Sequence, residues 1–140
     1  MDNRTDYFHE GVSAFQQNSY TKAITLFENA LAEPFCGFGN MSDDLIYNNI
    51  ATCYNKLMNY SKAAEFYEKA IKKGLVNDDI YFSLAATYHK SSENEKALSI
   101  YNFLIDRTPN NGKAYYIRGK LYEFMSKRDS EKAKSLNYFV

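Results

Sequence analysis

The segment YNNIATCYNKLMNYSKAAEFYEKA, residues 47–70, decides the fold of this chain. Tyr47, Ala51 and Tyr54 stand at i, i+4 and i+7, which is one stripe of an α-helix. After the breaker Asn59-Tyr60-Ser61 the same spacing returns in Ala63, Tyr67 and Ala70. Two helices of about three turns, joined by a tight turn, are therefore expected. The small residues on both stripes let the two backbones approach closely, and the aromatics fill the space beside them. Neither helix can bury its stripe alone, so the pair has to stack on a neighbour.

Working outward, the pattern recurs. Tyr81 and Tyr115 follow Tyr47 at steps of 34 residues, and Tyr7 precedes it by 40. Four residues after each tyrosine comes a small residue: Gly11, Ala51, Ala85 and Gly119. Three further on are Ala14, Tyr54, Tyr88 and Tyr122. The second-helix columns are Ala23, Ala63 and Ala97, then Phe27, Tyr67 and Tyr101, then Ala30, Ala70 and Leu104. Pro109 closes the third unit. Over nearly the whole chain this pattern resembles the tetratricopeptide repeat (TPR), a helix–turn–helix unit. The resemblance implies an all-α solenoid of stacked antiparallel helix pairs, with three full repeats and a partial, capping fourth. The repeats are placed at about 4–37, 44–77, 78–111 and 112–140, in one domain, with helix pairs at about 4–33, 44–73, 78–107 and 112–139. Breakers for the turns inside the pairs are Asn18-Ser19, Asn59-Tyr60-Ser61, Ser91-Ser92-Glu93-Asn94 and Ser126-Lys127-Arg128-Asp129.

Composition agrees with this class. With 6 Gly and 2 Pro in 140 residues, a strand-rich fold built on tight turns is excluded, and 45% apolar residues suffice for a core. Lys+Arg and Asp+Glu balance at 17 each, so no global field points to nucleic acid or a membrane surface. The mean hydropathy of −0.54 and the lack of a long apolar run exclude a membrane span. The first residues carry no apolar leader stretch, which places the expected protein in the cytoplasm. Cys36 and Cys53 make neither a disulfide framework nor a metal pattern. His9 and His89 fall in different units, too far apart to share a metal, and no phosphate loop, nucleophile elbow or zinc motif occurs. Cys53 sits beside the small-residue stripe and reads as a packed thiol, whereas Cys36 lacks any basic neighbour to activate it. The expectation is a protein without catalytic residues, metal or cofactor. Its many tyrosines belong to the core rather than to a base-stacking platform.

Two places break the period. Residues 34–43, Pro-Phe-Cys-Gly-Phe-Gly-Asn-Met-Ser-Asp, hold the extra residues of the 40-residue step, with apolar Phe35, Phe38 and Met41. They read as a loop folded back over the first helical hairpin, or as a flap at one edge of the binding face. In the last unit the alanine column fails, with Glu131 in register and Ala133 two residues late. A final helix at about Ser130–Val140 is expected to cap the stack. Tyr138-Phe139-Val140 is apolar for an exposed end, so it packs beneath the fourth unit, meets another chain, or precedes further sequence. Charge divides unevenly: residues 1–106 hold 9 basic and 14 acidic side chains, and residues 107–140 hold 8 and 3. A solvated basic cap, attraction for an acidic peptide, and head-to-tail association all fit that division.

In TPR proteins the first helix of each pair lines a concave groove that takes a peptide. Transferred to this chain, the resemblance puts Phe8, Val12, Asn48, Asn49, Thr52, Phe82, Ser83, Ala86, Tyr116 and Lys120 in that groove. Amides such as those of Asn48 and Asn49 can bond a peptide backbone, the apolar members can hold side chains, and Lys113 and Lys120 can meet a carboxylate. The two-carboxylate clamp by which some TPR proteins hold chaperone C-termini is not matched. Phe8 and Val12 replace its lysine and asparagine on the first helix, and Asp79 and Ser83 stand where basic groups belong. The expected function is protein–protein interaction, as an adaptor or scaffold that binds a partner segment. The alternatives are a small secretion-type chaperone for an apolar client segment and a self-assembling structural protein that forms homo-oligomers through its C-terminal helix.

Overall fold

The computed structural model describes residues 3–35, 37 and 41–136. Within them the chain forms seven helices and no strand: α1 (Asn3–Gln16), α2 (Tyr20–Ala32), α3 (Asp43–Lys56), α4 (Tyr60–Lys72), α5 (Asp78–Lys90), α6 (Asn94–Arg107) and α7 (Gly112–Ser135). Consecutive helices pack on one another, so the architecture is a solenoid of helix pairs.

The columns read in the sequence are the packing columns. Ala23, Ala51, Ala63, Ala85 and Ala97 have no exposed surface, and Phe27, Tyr67 and Tyr101 are buried beside them. Each buried aromatic of this size contributes roughly 1.5–3 kcal/mol of hydrophobic stabilisation. At Gly11 the approach is close enough that a Cβ would lie 2.7 Å from the Phe27 ring. Two clusters of buried side chains make the core, one around α1, α2 and α3 and one from α3 to α7, with Tyr54 and Phe66 packed against both.

The turns inside the pairs also repeat. Asn18, Met58 and Ser92 adopt positive φ of 60°, 59° and 64°. At each, the next amide bonds back across the turn: Ser19 N–H to the Ala14 carbonyl, Asn59 N–H to Tyr54, and Glu93 N–H to Tyr88. This is the Schellman closure, which satisfies the last carbonyls of a helix by a left-handed residue. Gly74, at φ 117°, closes α4 in the same way through Leu75 N–H and the Ala70 carbonyl. Asn59, Asn77 and Asn111 then cap the N-termini of α4, α5 and α7 with their side-chain oxygens.

The fourth turn does not form. Ser126-Lys127-Arg128-Asp129, expected to break the last pair, lies inside α7, which continues unbroken to Ser135. A left-handed non-glycine residue costs of order 1 kcal/mol, and burial of the returning helix offsets it in the first three units. In the fourth unit Glu131 and Ser135 stand where Ala97 and Tyr101 stand one period earlier. A returning helix would set a carboxylate and a hydroxyl in the two columns that carry the helix crossing in the earlier units, and the lysine-, arginine- and glutamate-rich segment stays helical. The expected cap at about Ser130–Val140 is thus replaced by the extension of α7 as far as Ser135; Tyr138-Phe139-Val140 lies outside the described residues.

The insertion at residues 34–43 is tied to α1. Arg4, 3% exposed, donates from Nε to the Met41 carbonyl (2.9 Å) and from Nη1 to the carbonyls of Glu33 (2.8 Å) and Ala30 (3.2 Å). Its Nη2 pairs with Asp43 Oδ1 at 2.6 Å, and the guanidinium lies 5.3 Å from the centre of the Phe35 ring. One planar cation thus gathers the end of α2, the start of α3 and both flanks of the loop. Cys36 and Phe38 lie outside the described residues.

Candidate functional site

The odd-numbered helices, each the first of its pair, stand side by side. Asn55 of α3 donates to Thr87 Oγ1 of α5 at 2.9 Å, and the Thr87 hydroxyl donates to the Ser83 carbonyl at 2.7 Å. The His89 ring of α5 meets Phe124 of α7 edge-on at 5.0 Å. Lys113 of α7 lies with Nζ 4.3 Å above the Phe82 ring of α5. Side chains four residues apart on each helix therefore form one continuous face across α1, α3, α5 and α7.

Three pockets punctuate that face. The first, about 170 Å³, lies between the first two pairs and is lined by Val12, Phe15, Phe27, Asn49 and Thr52. The second, about 250 Å³, lies between α3 and α5, where Asn48, Thr52, Ser83 and Asp79 line it together with Asn77 and Leu45. The third, about 110 Å³, is formed by His89, Tyr101, Ile117, Lys120 and Leu121. Thr52 lines the first two; its hydroxyl donates to the Asn48 carbonyl at 2.9 Å and lies 3.3 Å from the Tyr67 hydroxyl. The chemistry grades along the face, from aliphatic and aromatic at α1, through amides and one carboxylate, to lysines over aromatic rings at α7.

Of the residues singled out in the sequence, Val12, Asn49 and Thr52 meet in the first pocket, and Asn48, Thr52 and Ser83 in the second. Lys120 lines the third, 3.4 Å from Glu123 Oε2, with its Nζ 5.7 Å from the Tyr116 ring centre. Phe8, Phe82, Ala86 and Tyr116 line none of the three. Phe8 and Phe82 are half-buried against Phe27 and Tyr101, whereas Ala86 and Tyr116 are exposed. Sequence reasoning did not include Asn77, Leu45 or Arg4. Asn77 is legible as a helix cap before Asp78-Asp79, but its place beside the second pocket follows from how α5 stacks on α3.

Cys53 is fully buried, and burial pushes its thiol up to about 11, so it stays protonated at neutral pH. The His9 ring is exposed on α1 beside Phe8, and His89 Nδ1 lies 2.9 Å from Asn94 Oδ1 on the next helix. Among the described residues no three His, Cys, Asp or Glu side chains are grouped to hold a metal, and no helix is long and apolar enough to cross a membrane.

Comparison with known proteins places this architecture. The tetratricopeptide repeat family model matches residues 45–73. No curated protein matches the chain at a significant level. Among solved structures, the Hsp90 co-chaperone Cns1 from Saccharomyces cerevisiae superposes with a TM-score of 0.81 at 19% identity, over 96% of this chain and 43% of that one. The second TPR domain of the human RPAP3 protein, in complex with an HSP70 peptide, superposes at 0.69 and 17% identity, over 86% and 95%. YrrB, a TPR protein with an unusual peptide-binding site, does so at 0.69 and 21% identity, over 89% and 61%. Residues 45–73 are a tetratricopeptide repeat, and the chain around them has the tetratricopeptide-repeat fold.

Proposed function

We propose that this chain binds an extended segment of a partner protein along the α1–α3–α5–α7 face, and that Phe8, Val12, Asn48, Asn49, Thr52, Phe82, Ser83, Ala86, Tyr116 and Lys120 make up the contact surface. The observation that carries the proposal is the row of three pockets, two of them joined at Thr52, with a graded chemistry. An apolar side chain suits the pocket of Val12 and Phe15, main-chain amides suit Asn48 and Asn49, and an acidic group suits Lys113 and Lys120. The peptide-bound RPAP3 domain supports this use of the fold. Without the clamp lysines, a C-terminal pair of carboxylates is not the favoured ligand. The preferred segment combines an apolar anchor with an acidic group at its other end. This is the work of an adaptor or scaffold.

The test is a peptide-display selection against the immobilised chain, run beside the Val12→Arg/Asn49→Arg variant. Enriched sequences that pair an aliphatic or aromatic residue with Asp or Glu, and that lose binding to the variant at unchanged helicity, are the expected result. Binders retained by the variant would move the site elsewhere on the molecule.

A further inference from the structure

A further pocket, of about 320 Å³, opens where the last turn of α4 meets the start of α3. Among the described residues it is lined by Tyr47, Lys69, Lys72 and Lys73, and it shares none of them with the three pockets of the candidate face. The carboxylates beside these lysines do not balance them. Glu65 pairs with Lys69 at 3.3 Å and is divided with Lys62 at 3.5 Å. Asp43 lies 3.9 Å from Lys73 and is already bonded by Arg4 at 2.6 Å. Lys72 has no ion-pair partner among the described residues. In this network Arg4, Lys62, Lys69, Lys72 and Lys73 stand against two carboxylates.

The repeat itself does not require such a pocket. One unit later the same positions are Phe103, Asp106 and Arg107. There Phe103 packs on the Tyr81 ring at 4.9 Å, and Arg107 bonds the Val76 carbonyl (3.0 Å) and Asp78, so the chain fills the place with its own side chains. One unit earlier the positions are Asn29, Ala32 and Glu33. Lysine in a last helical turn complements the helix dipole, but that role does not call for three lysines around a cavity beside an aromatic ring.

We propose that this pocket binds a phosphate monoester. Such a group is close to doubly charged at neutral pH and supplies the negative charge that Glu65 and Asp43 leave lacking. Each ammonium can donate to a phosphate oxygen, and the half-buried Tyr47 ring offers an apolar wall to whatever carries the phosphate. The volume is that of a small-ligand site. A free phosphate compound and a phosphorylated side chain of a partner protein share this chemistry.

The test is a titration of the isotope-labelled chain with phenyl phosphate, followed by two-dimensional NMR. The expected result is a Kd below about 1 mM, with shifts centred on Tyr47 and residues 69–73. Phenyl sulfate, the same ring with one charge fewer, should bind at least about fivefold more weakly. Lys72→Gln/Lys73→Gln should weaken phenyl phosphate at least about tenfold at unchanged thermal melting, and Lys72→Arg/Lys73→Arg should retain it. Lys132→Gln/Lys134→Gln removes the same charge from exposed positions of α7 and should leave binding unchanged. A phosphotyrosine peptide that binds more tightly than phenyl phosphate would assign the site to a phosphorylated partner, and equal or weaker binding would assign it to a free phosphate compound. No binding up to about 10 mM, equal binding of the sulfate, or equal losses from the two Lys→Gln pairs would overturn the proposal.

Discussion

Gly11 and Gly119 occupy the same column of the repeat, yet replacing each by alanine should change stability in opposite directions. Alanine in place of glycine inside a helix gains about 0.5–1 kcal/mol, because the unfolded chain loses freedom. At Gly119 the new methyl meets open space, so that gain should appear in full. At Gly11 the methyl would lie 2.7 Å and 2.8 Å from two carbons of the Phe27 ring. Phe27 is 1% exposed and packed in the core cluster of α1, α2 and α3; its open side is the pocket it shares with Val12 and Phe15, so a shift to make room for the methyl gives up packing on the ring's other faces. Overpacking of this kind costs about 1–3 kcal/mol. Set against the helical gain, Gly11→Ala should destabilise by about 1 kcal/mol, and the two variants should differ by about 2 kcal/mol. Urea denaturation followed by circular dichroism at low protein concentration, with m-values compared, reads this directly. Stabilisation by both substitutions would refute the close helix crossing at Gly11. Destabilisation by both would show that the stripe of α7 is covered.

Two further predictions rest on buried groups. Arg4→Met removes the donor shared by three carbonyls and Asp43, and should cost about 3 kcal/mol, or roughly 10 °C in Tm. Arg4→Lys should recover only part of it, because a single ammonium cannot span those acceptors; a loss below about 1 kcal/mol for Arg4→Met would mean that the contact is not cooperative with the fold. Burial raises the Cys53 thiol from 9.0 to about 11, so the unfolded state releases its proton first as pH rises. Stability should therefore be intact below pH 9 and fall by on the order of 2 kcal/mol between pH 9 and 11. Burial raises the Tyr101 hydroxyl in the same direction. Cys53→Ala should flatten the decline in pH-dependent melting, and an equally steep decline would assign the effect to tyrosines alone.

The helices and their pairing were legible because the packing stripes are short-range patterns. Tyr47, Ala51 and Tyr54 must share a helix face whatever surrounds them. The left-handed turns were legible only as breaker clusters: Met58 carries no turn signature, and its positive φ follows from its place in the closure after α3. The candidate face was partly legible. Val12, Asn49 and Thr52 converge because α1 and α3 stack at a fixed offset, whereas Phe82 turned out to be a half-buried wall under Lys113.

The sequence by itself determined the period, the identity of the packing columns and the all-helical class, since each depends on residues within one or two turns of each other. Only the tertiary structure decided the rest. Arg4 became a clasp because residues 26 to 39 positions away in the chain come to lie around it. Helix α7 ran straight through Ser126, and Glu131 and Ser135 stand in the columns where Ala97 and Tyr101 carry the helix crossing one unit earlier. A breaker in the sequence permits a turn; burial on its far side is what makes the chain take it.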